Sequence, residues 1–376
     1  MSRPRVAYVA HSVDPTSGGM ELVSARLLER LSSVVDLEVV AGDGLETLPP
    51  GVRRTRIPIP ARPNVARLVL FDLLATLRLP AVRRRNDLVH TCGAVAHSRV
   101  DLLTMHLSHA AVIDAQGGAR PPGRGGLRGV VGGWRRRLAA HLERWAMRHG
   151  RTRELAAVSR SEARDLEARY PEVPLTVIEN GADVARFAGA GRAERAAGEP
   201  LRVLVVAGDF ERKGVPLAIR AVARTTSCRL RVVGDGDRRA MRALAAEHGA
   251  LDRIEVLPPR RDVEVEYAHA DVILSCSLYE SFGLAVVEGA AAGCAVVCTD
   301  TGIGPELVGE DGDEPGGFVV PLDEGRIGDA LDVLDKDHAR CRAMGAVAAR
   351  RAARFSWDEM TKATLARYDE LRAPSP

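Results

Sequence analysis

The stretch Asp271-Val272-Ile273-Leu274-Ser275-Cys276-Ser277-Leu278-Tyr279-Glu280-Ser281-Phe282-Gly283-Leu284-Ala285-Val286-Val287-Glu288 decides the fold. Its first five residues form an apolar run of strand length. Gly283 then opens a second apolar run that reads as a helix, and a buried strand that leads through a short loop into a helix is the βα unit of a parallel sheet. Glu280 therefore lies in the loop at the strand's carboxyl end. The helix begins at Gly283 or Leu284, and Glu288 sits about one turn into it. Two carboxylates beside a helix N-terminus suit a ligand that carries both hydroxyls and phosphate. The carboxylates accept from hydroxyls, and the backbone N–H groups at the positive end of the helix hold the anion.

The same alternation continues on both sides. The spacing predicts strands at 5–10, 37–41, 87–90, 102–106, 155–159 and 175–179, with helices over 18–31 and 161–170. A Gly- and Ala-rich stretch without apolar period, 188–200, reads as a linker. Beyond it, strands at 201–207, 229–233, 254–257, 272–275, 295–298 and 317–320 alternate with helices at 216–224 and 238–248. This predicts an α/β chain of two doubly wound parallel sheets in tandem: a domain at 1–187, a linker, a domain at 201–355, and a last helix at 356–376 with Ser356 as N-cap. Ligands of such sheets lie outside the carboxyl ends of the strands. A cleft between two facing domains is the expected site.

The 376 residues leave room for two domains. Six cysteines form no Cys-x-x-Cys pair. They read as reduced core residues of a cytosolic protein, with no disulfide framework and no zinc site. The opening run Val6-Ala7-Tyr8-Val9-Ala10 is too short for a secretion leader. The apolar stretch 65–82 is broken by Arg67, Asp72 and Arg78 and reads as an amphipathic helix. Residues 1–190 hold 28 Arg, no Lys and 19 acids, a net +9, and the remainder is net −6. The chain's three lysines therefore stand out, Lys213 above all.

Lys213 follows Arg212 in the loop after the strand at 201–207. A fork-shaped guanidinium beside a point-charge ammonium suits a diphosphate. Gly18-Gly19 sits between the first strand and the first helix, where a backbone without Cβ atoms lets a ligand approach. No Gly-x-Gly-x-x-Gly accompanies it, which argues against a nicotinamide-binding unit. His106 ends the strand at 102–106, with His109 as its rival three residues on. Asn180-Gly181 is a turn by its own chemistry. Asp235-Gly236-Asp237 mimics an Asp-x-Asp metal signature but follows a strand in a Gly-rich turn, so it reads as a loop.

Glu280-x7-Glu288 with its Ser-Phe-Gly-Leu interior resembles the signature of the retaining GT-B glycosyltransferases of family 4. The Gly-Gly loop, Arg212-Lys213-Gly214, the segment Glu179-Asn180-Gly181-Ala182-Asp183 and the loop Gly302-Ile303-Gly304-Pro305-Glu306 extend the likeness over nearly the whole chain. The family's Pro-Asn-Gly has Glu179 in place of Pro. The resemblance implies two Rossmann-like domains about a central cleft that closes on the substrate, with the final helix crossing back to the first domain.

It also implies roles. Glu288 would take the ribose hydroxyls and Glu280 the sugar hydroxyls, while the Phe282-Gly283-Leu284 backbone contacts sugar and phosphate. Arg212 and Lys213 would stabilise the leaving diphosphate, and His106 would reach the donor sugar. Gly18 and Gly19 would cover the phosphates and the acceptor, with Asn180 as a further substrate-binding residue. No metal and no cofactor is implied, the nucleotide sugar being a substrate. Two routes to retention stand: Glu280 as covalent nucleophile, or same-face attack assisted by the leaving phosphate, which the resemblance favours. Gly208-Asp209-Phe210-Glu211-Arg212-Lys213 resembles the bacterial lipopolysaccharide-core glucosyltransferase branch and points to a UDP-hexose donor. The acceptor, a glycan, glycolipid or small metabolite, is not readable. Rival readings are a GT-B nucleotide-sugar epimerase and a non-catalytic two-domain sugar-binding protein.

Ten arginines between Arg120 and Arg153, interleaved with Trp134 and Trp145, read as a solvated helix or as one lying on an anionic membrane. The second reading places the protein at the inner face of the membrane in the cytoplasm. Nucleic acid, the other polyanion, is not the expected partner.

Overall fold

The computed structural model describes residues 3–60, 64–96, 98–115, 127–148, 151–189, 191, 193, 195–196, 198–310 and 313–373. The chain divides into two compact units, Met1–Gly181 with Trp357–Pro376, and Ala182–Ser356.

In the first unit the elements run β1 (Arg5–Ser12), α1 (Gly19–Leu31), β2 (Asp36–Asp43), β3 (Arg53–Arg56), α2 (Asn64–Arg83), β4 (Leu88–Cys92), β5 (Leu102–Met105), α3 (His109–Ala115), α4 (Leu127–Arg148), β6 (Leu155–Ala157), α5 (Arg160–Arg169) and β7 (Leu175–Val177). The strands pair in the order β3-β2-β1-β4-β5-β6-β7, all parallel. Every residue of β4 and β5 is buried. A strand covered on both faces reads as a continuous apolar run, which is why the alternation was visible in the sequence. Phe71 and Leu79 of α2 pack with Leu103, Met105 and Leu166 in this unit's core. Ser159 caps α5 by accepting from the Glu162 N–H at 3.1 Å, while Glu162 returns to the Val158 N–H at 2.8 Å, a reciprocal cap that fixes where α5 starts.

The second unit runs α6 (Val184–Ala188), β8 (Arg202–Ala207), α7 (Val215–Arg224), β9 (Arg229–Gly234), α8 (Arg238–Glu247), β10 (Ile254–Leu257), α9 (Val263–Ala268), β11 (Val272–Ser275), α10 (Leu284–Ala291), β12 (Ala295–Cys298), α11 (Gly304–Val308), β13 (Gly317–Val319), α12 (Glu324–Lys336) and α13 (His338–Ala352). Its strand order is β10-β9-β8-β11-β12-β13, again parallel throughout. Ile219, Leu230, Leu274, Leu331 and Leu334 belong to its own core. The last helix, α14 (Trp357–Arg372), belongs to the first unit, where it packs on α1 and β4. Tyr368 of α14 is bonded at 2.7 Å to His90 of β4.

The units part at Gly181/Ala182, earlier than the composition of 188–200 suggested. Two contacts account for the difference. Phe187 of α6 meets Tyr267 of α9 edge-on at 5.2 Å. Arg195, inside the supposed linker, is buried against Asp335 at 3.1 Å and Asp271 at 3.4 Å. A paired, buried arginine ties that stretch to the second unit. The sequence also gave no sign of β3, whose Arg-Arg-Thr-Arg carries no apolar pattern. It is a sheet edge, where polar residues are the rule. All six cysteines are buried and none is in a disulfide. Among the described residues no helix is long and apolar enough to cross a membrane.

Candidate active site

In the second sheet β8 and β11 are neighbours, yet the chain leaves them in opposite directions, toward β9 and toward β12. Such a switch point opens a crevice at the strands' carboxyl ends. The loops that follow β8 and β11 carry the candidate residues. The first loop turns through bonds from the Lys213 N–H to Asp209 O at 2.9 Å and from the Gly214 N–H to Glu211 O at 3.1 Å. Gly214 has φ +67°, and a Cβ there would lie 1.9 Å from the Cys276 carbonyl oxygen. Only glycine lets the two loops touch here. The Leu278 N–H then donates to Arg212 O at 3.0 Å and locks them together.

This contact brings three of the candidates together. Lys213 Nζ pairs with Glu280 Oε2. Arg212 Nη1 lies 3.8 Å from the same oxygen and donates to Tyr279 O at 3.0 Å. The side chains of Glu280, Lys213 and Arg212 are 12%, 18% and 21% exposed, so the cluster is nearly dry yet still open to a ligand. Burial pushes the Glu280 carboxyl up, but Lys213 and Arg212 outweigh it and hold it below the usual carboxylate range.

Gly283, at φ +96°, ends the second loop and opens α10 at Leu284. Phe282 faces inward, edge-on to Phe355 at 5.8 Å, and its carbonyl accepts from the Ile303 N–H at 2.7 Å. Glu288 lies apart from the cations and accepts from the Tyr267 hydroxyl at 2.8 Å. Burial raises its carboxyl above the ordinary value, against the Tyr267 bond and Arg186, which lower it. The two glutamates of one motif are thus shifted in opposite directions.

The remaining candidates belong to the first unit. Gly18 precedes α1, and Ser17, Met20 and Glu21 line a cavity of about 470 Å³ at the carboxyl ends of β1, β4 and β5. His106 lines the same cavity and is 9% exposed. Burial depresses it to about 4, so the imidazole is neutral. Asn180 Nδ2 lies 3.4 Å from His106 Nδ1, which brings these two candidates together. His109, the rival, opens α3, and its backbone N–H donates to the buried Glu143 at 2.7 Å.

Asp237 of the Asp-Gly-Asp turn caps α8 by accepting from the Ala240 N–H at 3.0 Å. Among the described residues no three His, Cys, Asp or Glu side chains gather as metal ligands. On α4, Ala139, Ala140, Glu143, Ala146 and Met147 face inward and Trp134 is 69% exposed, whereas Arg120 and Arg124 lie outside the described residues. Trp145 carries the Arg151 guanidinium over its ring at 4.8 Å.

Comparison with known proteins gives these features a lineage. The family pattern described as Glycosyltransferase Family 4 matches residues 17–186, and that described as Glycosyl transferases group 1 matches 201–337. The chain belongs to the family 4 glycosyltransferases. Among curated proteins, the D-inositol 3-phosphate glycosyltransferase of Corynebacterium jeikeium is 35% identical over 234 residues, which is 56% of this chain and 55% of that protein. The enzyme of the same name from Mycobacterium leprae is 33% identical over 57% of this chain and 51% of its own length. The chain spans about half the length of the curated relatives it matches.

Solved structures extend the likeness end to end at the level of fold. Sucrose-phosphate synthase from Thermosynechococcus elongatus superposes with a TM-score of 0.76 at 19% identity, covering 99% of this chain and 100% of that one. WaaG, a glycosyltransferase involved in lipopolysaccharide biosynthesis, gives 0.72 at 20% identity over 96% and 98%. Each unit of this family 4 chain is thus half of a GT-B fold.

One member of the second unit's site carried no signal in the sequence, and another was marked only as part of a loop. Tyr267, which holds Glu288, comes from α9 and carries no motif. Gly302, at φ +60°, would place a Cβ 2.4 Å from Phe282 O and 2.8 Å from Glu280 Cγ. It belongs to a loop that the resemblance marked, and its contact with Glu280 gives that glycine its reason.

Proposed function

We propose that this chain moves a hexosyl unit from a nucleotide sugar, UDP-hexose by preference, to a hydroxyl acceptor with retention of configuration and without a metal ion. The observation that carries the reading is the convergence of Lys213, Arg212 and Glu280 at the β8/β11 switch point beside the first turn of α10. Before the donor arrives, Lys213 and Glu280 compensate one another. A diphosphate draws Lys213 and Arg212 to itself and leaves Glu280 free to accept from the sugar's hydroxyls. As the glycosidic bond breaks, charge grows on the leaving phosphate, and the two cations are already in place to meet it.

Glu288, half-buried and oriented by the Tyr267 hydroxyl, is assigned to the paired hydroxyls of a ribose. Held by two cations, Glu280 is a weakened nucleophile, which supports same-face attack assisted by the leaving phosphate over a covalent intermediate. His106, neutral and at the edge of the first unit's cavity, is assigned to the sugar, with Gly18, Gly19 and Asn180 on the acceptor side. The exposed Trp134 on the arginine-bearing α4 supports attachment to an anionic membrane surface, from the cytoplasmic side.

The test is a thermal-shift screen of UDP-, GDP-, ADP- and dTDP-sugars, followed by transfer with the stabilising donor in EDTA and determination of the product's anomeric configuration. An inverted product, or dependence on added divalent metal, refutes the reading. Conversion of the donor sugar with no transfer would assign an epimerase, and binding with no turnover a sugar-binding protein.

A further inference from the structure

Helix α2 turns one apolar side to the core and a second one outward. Phe71, Ala75, Leu79 and Val82 are buried in the first unit's core. Val69, Leu73 and Leu77, four residues apart, share the opposite side of the helix. They are 42%, 53% and 68% exposed, and the exposed Pro80 continues the row. The row runs along most of a helix of 20 residues, a length of about 30 Å. A surface helix needs one apolar side for its core, and the other is ordinarily polar. An exposed apolar strip of this extent marks a contact surface.

The charges say what that surface meets. The helix carries a single acid, Asp72, which is buried, so no carboxylate of α2 lies on the outer side. Cations gather at its C-terminal end. Arg83 pairs with Asp101 at 2.8 Å and Arg85 with Glu38, and these bonds neutralise two buried acids. Arg83 Nη1 also donates to Arg99 O at 3.2 Å, which brings Arg99 to the same end. Arg78, Arg84 and Arg99 are exposed, and their side chains form no hydrogen bond or ion pair among the described residues. The helix dipole favours cations at this end, but it gives no reason for the apolar row beside them.

We propose that the outer side of α2 lies in the plane of an anionic lipid surface, with Leu73 and Leu77 among the acyl chains and Arg78 and Arg84 on the lipid phosphates. An apolar row flanked by unpaired cations and free of acids matches both halves of that boundary. No described helix is long and apolar enough to cross a membrane, so α2 rests on the surface. This names a surface for the membrane attachment given above and so rests on that reading, but the observations that carry it are independent of α4.

The experiment sediments the full chain, without sugar donor, with vesicles of phosphatidylcholine alone and of an equal mixture of phosphatidylcholine and phosphatidylglycerol. Binding to the anionic vesicles should be about tenfold or more the stronger and should weaken with added salt. Leu73→Gln with Leu77→Gln should lower it about tenfold. Arg78→Gln with Arg84→Gln should do the same on anionic vesicles and leave the neutral ones unchanged. All four side chains are exposed, so both double variants should melt as the native chain does. Absence of binding to anionic vesicles, or binding unmoved by either double variant, overturns the proposal. So does a lipid-free dimer that Leu73→Gln with Leu77→Gln dissolves, which would give the row to a second copy. If Trp134→Ser on α4 abolishes binding while the α2 variants bind as the native chain does, membrane attachment stands and the α2 assignment falls. No donor is present, so the result does not depend on the transferase assignment.

Discussion

Lys213→Ala tests the proposed donor site through both stability and chemistry. Removing one partner of a buried ion pair costs ~3–5 kcal/mol. Here the partners retain 12% and 18% exposure, and Arg212 stays 3.8 Å from the same Glu280 oxygen. Those two facts bring the expected cost down to about 2 kcal/mol at neutral pH. For a unit of this size that lowers the melting transition by roughly 4–8 °C.

The pH dependence carries more information than the drop itself. In the native chain Glu280 titrates below the ordinary range. Its contribution is therefore complete above the unfolded carboxyl's value and is lost as pH falls through the depressed one. Without Lys213, only Arg212 and the Ser281 N–H oppose burial, so the carboxyl titrates higher than in the native chain. The variant's penalty is then present near neutrality and is relieved by protonation as pH falls. Calorimetry from pH 8 to pH 4.5 should show the gap between the two proteins closing toward acid. A gap that stays constant with pH, or no gap at all, refutes the electrostatic account. In transfer assays the same variant should lose about 10²–10³ in kcat, the scale of one group stabilising developing charge. Full activity would remove Lys213 from the mechanism.

Other consequences follow from the same geometry. Gly214→Ala forces a Cβ against the Cys276 carbonyl at positive φ, so it should destabilise the second unit by about 3 kcal/mol or more in urea unfolding. Tyr267→Phe deprives the half-buried Glu288 of its hydroxyl donor, at a cost of about 1–2 kcal/mol and with a further rise in the Glu288 carboxyl, read by carbon-13 titration. His106 and His90, held by burial at about 4 and about 3, should stay neutral in NMR titrations down to pH 5. Because the unfolded chain protonates both near 6.5, stability of the first unit should decline as pH falls from there toward 4.

Much of this architecture was legible because both sheets are covered on each face. Strands 254–257, 272–275 and 295–298 announced themselves as apolar runs that match the observed β10, β11 and β12 residue for residue. What escaped was held by contacts between distant residues. Arg195 looked like part of a polar linker because Asp271 and Asp335, which bury it, lie far along the chain. The pairing of Lys213 with Glu280 was half legible: each loop could be placed after its strand, but only the sheet order makes those strands neighbours. Tyr267 left no trace, since its partner Glu288 is 21 residues away and on another helix.

The return of α14 to the first unit gives the chain modular ends. Ala182 and Ser356 pair as a bridge, with the Ala182 N–H donating to Phe355 O at 2.8 Å, so the second unit begins and finishes at one spot. On the other side of the same crossing, Gly181 is so close to Trp357 that a Cβ would lie 2.6 Å from its Cα. Each module therefore has start and stop points that a linker of a few residues could join. The sequence between Gly181 and Trp357 has the ends of a cassette, which excision, permutation or exchange with the equivalent segment of a relative would exploit.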